Sequence, residues 1–295
     1  MVKRRLNQVL TRTTGYRLER VRGNAPAAAQ DAGAAAPAPR KRQAHGGRRT
    51  NGKPRKRPSA RARQADPTEH YDAAARAVIE RVRPWTMTQP EKLFGLILAT
   101  RYVVEHGIPG DIVECGVWRG GSMQAAALTL LERGDSSRHL HLYDTYEGMP
   151  PPQDVDRRRD GKSAAELLAS SSHDSNLWAV ATLDDVQAGM AGVGYPSERV
   201  HFHPGRVEDT IPAEAPESAA ILRLDTDWYS STRHELEHLY HRLSPGGVLI
   251  LDDYGYWEGA RRATEEFLDE SGAPLLLVPL HDGRIAVKPG LQGRP

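Results

Sequence analysis

The chain has 295 residues, of which 39% are hydrophobic, and a formal net charge of +2. Residues 1–65 carry 18 Lys and Arg against two acids, a net of +16, whereas the remainder carries 22 against 36, a net of −14. The single cysteine, Cys115, excludes an intramolecular disulfide, and no apolar stretch has the length of a membrane span or a secretory signal. We therefore expect a cytoplasmic protein whose basic N-terminal part and acidic remainder have different roles.

The basic N-terminal part divides into two segments. Residues 1–22 place Leu6, Val9 and Leu10 at helical spacing and predict a short basic helix. Residues 23–65 contain almost no large apolar side chains, so they cannot bury enough surface to offset the entropy cost of ordering. We predict a disordered basic linker there. Contact with nucleic acid or an anionic membrane is not favoured, because basic runs without aromatic residues are weak evidence for specific binding.

Residues 66–295 are predicted to form the folded domain. Two helices open it, one over 71–82 and one that starts at Pro90. Apolar strands then alternate with helices, and they are predicted at 112–115, 139–143, 199–203, 221–224 and 248–251. Two further strands, 275–280 and 284–287, flank the turn signal Asp282-Gly283. This order predicts an α/β fold with a doubly wound, mostly parallel sheet, helices on both faces and a C-terminal antiparallel hairpin.

The connection between the last two parallel strands is predicted to be a helix. Thr232 and Glu235 have the spacing of a capping box, which favours a helix start at that point. The sequence Ser-Pro-Gly-Gly at 244–247 predicts the end of this helix and a turn into the next strand.

Aspartates follow both of these strands, Asp225 and Asp227 after the first, Asp252 and Asp253 after the second. Because the carboxyl ends of neighbouring parallel strands meet at one edge of a sheet, we expect the carboxylates to converge. Carboxylate oxygens suit Mg²⁺, Ca²⁺ or Mn²⁺ rather than zinc, and adjacent acids repel unless a cation compensates. A divalent metal site is therefore favoured over simple helix caps, with the participation of Asp227 left open.

A glycine-rich turn predicts a second site. Gly116, Gly120 and Ser122 lie between a strand and a helix, where glycines let a ligand approach the backbone and the helix N–H groups. Asp144 ends the next strand and can accept hydrogen bonds from both hydroxyls of a ribose. The spacing does not fit G-x-G-x-x-G, so we expect a nucleoside-type ligand rather than a dinucleotide.

Two other features have less specific interpretations. Residues 153–180 are long for a connection, which favours a lid or substrate loop that includes Trp178. His234 and His238 have the i, i+4 spacing of metal ligands, but we expect solvated surface histidines, since the leucine face of their helix is the buried one.

Four motifs occur in order along the chain: IVECGVWRGGSM, LYDTYEGMP, LRLDTDWYSST and SPGGVLILDDYGYWEGARRA. Over roughly residues 85–290 they resemble the macrocin O-methyltransferase family of S-adenosylmethionine-dependent, metal-dependent enzymes. The resemblance implies a Rossmann-like class I methyltransferase that acts on a hydroxyl of a small molecule, a sugar or aromatic part of a natural product. The methyl-donor residues that it implies are Met87, Glu114, Gly116, Gly120, Ser122, Asp144, Thr145 and Gly205.

The resemblance also implies Mg²⁺, or another oxygen-preferring cation, at Asp225, Asp252 and Asp253, with Asp225 as the catalytic proton acceptor. Catechol-type methyltransferases place a catalytic lysine three residues after the first metal aspartate, and this chain has Trp228 there. Where the family usually has the motif Asp-Gly-Asp, this chain has Asp-Thr-Asp at residues 225–227.

Two rival functions remain at this point. One is an RNA methyltransferase whose basic tail binds phosphates, and the other is an inactive protein recruited to nucleic acid or membrane. The complete set of acids argues against the inactive protein, and the net charge of −14 argues against RNA lying across the domain. The identity of the acceptor and the oligomeric state stay open, with a homo-oligomer as one outcome.

Overall fold

The computed structural model describes residues 68–290, so the predictions for residues 1–22 and 23–65 lie outside the described residues. Within that range the helices are α1 (Ala73–Val82), α2 (Pro90–Glu105), α3 (Gly121–Glu132), α4 (Ala164–Ser170), α5 (Leu183–Ala191), α6 (Val207–Thr210), α7 (Tyr229–Leu239) and α8 (Glu258–Ser271). The strands are β1 (Asp111–Cys115), β2 (Leu140–Asp144), β3 (Val200–Pro204), β4 (Ala219–Leu224), β5 (Leu243–Leu251), β6 (Val278–Leu280) and β7 (Gly283–Val287).

The strands form one seven-stranded sheet in the order β3-β2-β1-β4-β5-β7-β6. Strands β1 to β5 are parallel to one another, and β7 runs antiparallel to both β5 and β6. This confirms the predicted doubly wound sheet with a C-terminal hairpin. The order reverses between β1 and β4, and the crevice outside their carboxyl ends is where open α/β sheets bind ligands.

The central strands are buried on both faces, which is why they appear as continuous apolar runs. Ile221 of β4 packs in the core under α2, α3 and α5, whereas the next residue, Leu222, packs in the core under α7 and α8. In β5, Ile250 and Leu251 divide between the same two cores. Because side chains alternate along a strand, one apolar run supplies both layers.

Helix α7 differs from the prediction at both ends. The capping box is wrong, because Thr232 and Glu235 lie inside the helix and are buried. Asp227 has a φ of +67°, which turns the chain directly after β4 and starts the helix at Tyr229. The predicted helix end at 244–247 is also wrong: α7 stops at Leu239, and those residues belong to β5, where pairing with β4 begins.

The C-terminal hairpin is present, but its turn lies one residue earlier in the chain than predicted. Leu280 pairs with Gly283, so the two loop residues are His281 and Asp282 rather than Asp282 and Gly283. His281 takes the positive φ, +57°, that the sequence assigned to glycine. Across residues 68–290, no helix is long and apolar enough to cross a membrane.

One face of the sheet edge carries a histidine ladder that the sequence analysis missed, formed by His139, His141, His201 and His203. Nδ1 of His139 lies 2.5 Å from Nε2 of His201, and Nδ1 of His141 lies 3.1 Å from Nε2 of His203. Neighbouring charged and phenolic groups complete this face: Asp111, Tyr143, Arg199, Glu214 and Glu217. Burial and the adjacent His141 lower the pKa of His201 and His203 below the ordinary 6.5.

The ladder predicts a loss of stability in mild acid. As the pH falls below 6.5 the unfolded chain binds protons before the folded ladder does, so the free energy of unfolding decreases toward the lower folded pKa. Urea unfolding at pH 7.5 and 5.5 should show a smaller difference for His201→Asn with His203→Asn than for the wild type. The exposed His106→Asn serves as the control, and equal pH dependence in all three proteins would contradict the prediction.

Candidate functional site

A cavity of about 610 Å³ opens at the carboxyl ends of the parallel strands. It brings together most of the residues that the sequence assigned to the two sites: Met87, Gly116, Asp144, Thr145, Gly205, Asp225, Asp252 and Asp253. The two predicted sites are therefore two sides of one cavity.

The glycine turn is pressed against the end of β4. Gly116 has a φ of +80°, and a Cβ atom there would lie 2.0 Å from the carbonyl oxygen of Asp225. Any other residue would push the turn away from the carboxylates, so glycine brings the two sides of the cavity together. Gly120 does not line the cavity: its open Cα face packs on Val186 of α5, where a Cβ would meet Cγ1 at 3.0 Å.

Asp144 holds the glycine turn in shape. Its Oδ2 accepts backbone hydrogen bonds from Val117 (2.8 Å) and Trp118 (2.9 Å), and its Oδ1 accepts one from Tyr146 (2.9 Å). Burial raises the pKa of Asp144, although these three N–H donors oppose the shift. Asp144 also lines the cavity, so the carboxylate that organises the turn stands beside the space predicted for a ribose.

Two other predicted methyl-donor residues lie outside the cavity lining. Glu114 is buried at 1% exposure, and its carboxylate forms an ion pair with Arg223, its register partner on β4. Burial raises the pKa of Glu114 to about 8 against the opposing charge of Arg223. The Oγ of Ser122 lies 3.3 Å from the Oγ1 of Thr88, which does line the cavity. Ser122 therefore contacts a cavity-lining residue rather than the cavity itself.

Three carboxylates converge as predicted. Asp225 and Asp252 each continue the backbone ladder, with N–H groups bonded to Cys115 (2.8 Å) and Leu224 (2.9 Å). Asp225, Asp252 and Asp253 each offer an oxygen within 4.8 Å of the others, and among residues 68–290 no other group of three acids, histidines or cysteines does so.

The donor set fits a hard divalent cation. The Oδ2 atom of Asp253 is buried and has no hydrogen-bond partner among the described residues. Burial and the charges of Asp227, Asp225 and Asp252 raise the pKa of Asp253 well above its usual range. An oxygen-only set with one unpartnered carboxylate oxygen is the chemistry that Mg²⁺ satisfies.

Asp227 is a fourth carboxylate on the cavity wall, next to the metal group but not within it. Burial and the charge of Asp225 raise the pKa of Asp227 to about 7. Its left-handed φ of +67° carries the side chain away from the direction that a continuing strand would have given it.

The sequence analysis missed two cations that hold the acids together. Arg223, 3% exposed, reaches Oδ2 of Asp225 at 2.7 Å and Oδ1 of Asp252 at 2.5 Å, besides its ion pair with Glu114. Nζ of Lys92 lies 2.6 Å from Oδ2 of Asp252 and 2.7 Å from Asp282. Despite burial, these cations hold the pKa of Asp252 below its usual value. An arginine inside an apolar strand was an available signal, whereas a lysine on an amphipathic helix was not.

The predicted lid, residues 153–180, is anchored to the domain at a few buried residues, while most of its side chains are half-buried or exposed. Asp156 is fully buried, and its Oδ1 accepts the backbone N–H of Tyr229 at 2.8 Å. Trp228 donates from Nε1 to the carbonyl of Pro150 (2.9 Å) and packs at 5.0 Å on Trp257. Trp178 packs in the same cluster without lining the cavity, and the lid residues that do line it are Arg158, Asn176, Leu177 and Ala179.

The helix histidines do not join the site. Among residues 68–290, no hydrogen bond joins His234 to a carboxylate, and its Nε2 lies 2.9 Å from the carbonyl oxygen of Ile211. His238 stacks on it at 4.3 Å, and both are half-buried rather than fully solvated.

Comparison with known proteins gives three results. The family model described as Macrocin-O-methyltransferase (TylF) matches residues 41–278. The chain is 35% identical over 187 residues to the 8-demethyl-8-(2,3-dimethoxy-alpha-L-rhamnosyl)-tetracenomycin-C 4'-O-methyltransferase of Streptomyces olivaceus, covering 63% of this chain and 69% of that protein. It is 33% identical over 187 residues to the mycinamicin III 3''-O-methyltransferase of Micromonospora griseorubida, covering 63% and 71%.

The solved structure of the O-methyltransferase NovP is 28% identical and has a TM-score of 0.61 over 70% of this chain and 83% of that one. The calicheamicin methyltransferase CalS11 superposes with a TM-score of 0.52 at 20% identity, over 72% and 91%, which supports the fold alone.

Removal of Arg223 should lower the free energy of unfolding far more than removal of a surface arginine does. Arg223→Met leaves Glu114, Asp225 and Asp252 buried without their shared cation, which typically costs about 3–5 kcal/mol. Urea unfolding of Arg223→Met should show this loss, whereas Arg262→Met, which removes an exposed pair with Glu266, should change little. Equal stability of the two variants would refute the proposed dependence on Arg223.

Proposed function

Because this chain belongs to the macrocin-O-methyltransferase (TylF) family and is an S-adenosylmethionine-dependent O-methyltransferase, we propose that it methylates a sugar or aromatic hydroxyl of a natural product. Relatives named for a rhamnosyl-tetracenomycin, for mycinamicin III and for demethyldecarbamoylnovobiocin support this acceptor class. The observation that carries the proposal is the single cavity with a glycine turn on one side and converging carboxylates on the other.

We propose that the methyl donor occupies the side formed by Met87, Gly116, Asp144, Thr145 and Gly205. Gly116 lines this side of the cavity, and Asp144 stands where a ribose would meet a carboxylate. The acids of the opposite side favour the positively charged sulfonium group. The acceptor would then lie between the donor, the carboxylates and the lid wall at Arg158 and Leu177.

Asp225, Asp252 and Asp253 would hold the divalent cation. Bound there, it would lower the pKa of an acceptor hydroxyl and orient it. Arg223 and Lys92 keep Asp252 charged, while the unpartnered oxygen of Asp253 remains available to a cation. The lid would exclude water, and holding both substrates in line would contribute to the rate independently of the metal.

Asp225 is proposed as the proton acceptor, with Asp227 as the alternative on the same wall. Arg223 binds one oxygen of Asp225, whereas Asp227 forms no ion pair within residues 68–290. We expect Asp225→Asn to lower kcat by about 10²–10⁴-fold, the usual range for a general base. A larger loss in Asp227→Asn, with Asp225→Asn still active, would transfer the role to Asp227.

Asp253→Asn is the sharpest test of the metal. Asp252→Ala would also remove the partner of two buried cations, but the Oδ2 of Asp253 has no partner to lose. We expect methyl transfer to need added Mg²⁺, to stop in EDTA, and to fall roughly 100-fold or more in Asp253→Asn. The exposed Asp269→Asn is the control, and full activity of Asp253→Asn or of the EDTA-treated enzyme would rule out the metal.

Deletion of the basic tail distinguishes the rival RNA methyltransferase from the proposed small-molecule enzyme. If the tail binds phosphates, deletion of residues 1–65 should abolish both RNA binding and its salt dependence, together with activity. We expect instead that the deletion leaves methyl transfer to a small acceptor unchanged, measured as S-adenosylhomocysteine release across a panel of glycosylated and phenolic acceptors. Activity on RNA that is lost with the tail would favour the rival.

A further inference from the structure

We propose that the buried Glu235 is a positioning residue, which holds the Asp225–Asp227 segment in place through a hydrogen bond to Thr226. The inference rests on the proposed function, in which this segment carries a metal ligand and the proton acceptor. Glu235 contacts neither the cavity nor the three metal-binding carboxylates, and no step of the proposed reaction uses it.

Glu235 is an unusual group to find inside a protein core. It is 0% exposed on α7, its Oε1 accepts the hydroxyl of Thr226 at 2.9 Å, and its Oε2 has no partner among the described residues. Among residues 68–290, no basic side chain forms a hydrogen bond or an ion pair with Glu235. A buried carboxyl with an unsatisfied oxygen is destabilising, so its hydrogen bond with Thr226 is the observation to explain.

The segment that it contacts is short and constrained. Four residues, 225–228, connect β4 to α7, and Asp227 takes a left-handed conformation that a residue with a Cβ rarely adopts. The carbonyl of Thr226 accepts from the N–H of Trp228 at 2.8 Å and from the hydroxyl of Ser231 at 3.3 Å. Thr226 is thus held to α7 by its main chain on one side and by its side chain, through Glu235, on the other.

The contact also determines where two carboxylates lie. Thr226 stands directly between Asp225 and Asp227, and its backbone N lies 3.2 Å from where a Cβ of Gly116 would be. A glycine at position 226, as in the motif Asp-Gly-Asp, has no hydroxyl and could not donate the hydrogen bond to Glu235. The Asp-Thr-Asp sequence of this chain therefore supplies a side-chain tether at the point where the methyl-donor turn meets the metal group.

The test compares Thr226→Val and Glu235→Leu, which remove the bond, with Glu235→Gln, which keeps an acceptor of the same shape. Thr264→Val is the control, because the hydroxyl of Thr264 bonds along α8, to the carbonyl of Ala260 at 2.8 Å, and not to the 225–228 segment. Circular dichroism and urea unfolding identify any variant that does not fold.

Hydrogen–deuterium exchange of the peptide spanning residues 225–228, in metal-free protein, measures the tether without any activity. We expect faster exchange in Thr226→Val and Glu235→Leu, no further increase in the double variant, and wild-type exchange in Glu235→Gln and Thr264→Val. Unchanged exchange in folded Thr226→Val or Glu235→Leu overturns the proposal.

Function is then measured as kcat, the KM for each substrate and Mg²⁺ affinity by calorimetry. We expect the two bond-removing variants to lower kcat by roughly tenfold or more, because small displacements of reacting groups cost rate steeply. Mg²⁺ affinity should fall in parallel, the KM for S-adenosylmethionine should stay unchanged, and Glu235→Gln should restore both values.

The outcomes separate the tether from the proposed function. Faster exchange with unchanged kcat and Mg²⁺ affinity would overturn the positioning role and leave a purely structural bond. A wild-type enzyme that needs no Mg²⁺ would defeat the metal proposal, while exchange and kcat would still decide the role of Glu235. Equal losses in Thr264→Val and Thr226→Val would overturn the inference, since the loss of any threonine hydroxyl would then have the same effect.

Discussion

The arrangement of this site depends on one buried guanidinium. Arg223 lies between Glu114, Asp225 and Asp252, which come from three neighbouring strands and would otherwise repel one another without water to screen them. Its planar fork offers several donors in fixed directions, so one side chain binds three carboxylates with a defined geometry. The carboxyl ends of β1, β4 and β5 can therefore be acidic, buried and side by side.

The same charge balance divides the acids into two classes. Lys92 of α2 and Arg223 occupy both oxygens of Asp252, and Lys92 extends the network to Asp282 at the hairpin. Asp253 receives neither cation and keeps a buried oxygen without a partner. The protein thus neutralises the interior side of the cluster with its own side chains and leaves the cavity side able to accept a divalent cation.

Position 228 shows how one substitution changes the organisation of such a site. Trp228 stands where catechol-type enzymes have a catalytic lysine, and it is buried against Trp257 and the carbonyl of Pro150, just before the lid. The residue therefore anchors the cavity wall, and the carboxylates beside it are the proposed proton acceptors. The lid is consequently anchored to the domain rather than a free loop.

The sequence by itself determined the features that depend on neighbours along the chain. Apolar runs, the turns after them and the aspartates that follow were enough to predict the sheet and the convergence of Asp225 with Asp252. The contacts of Arg223 with Asp252, of Lys92 with Asp252 and of Asp144 with Trp118 were decided only by the tertiary structure, because these partners lie 29, 160 and 26 residues apart. The start of α7 was misjudged for the same reason: Glu235 is bonded to Thr226 before the helix and not to its own helix end. Local patterns report which residues can form a strand or a helix, but the pairing of buried charges depends on which strands become neighbours.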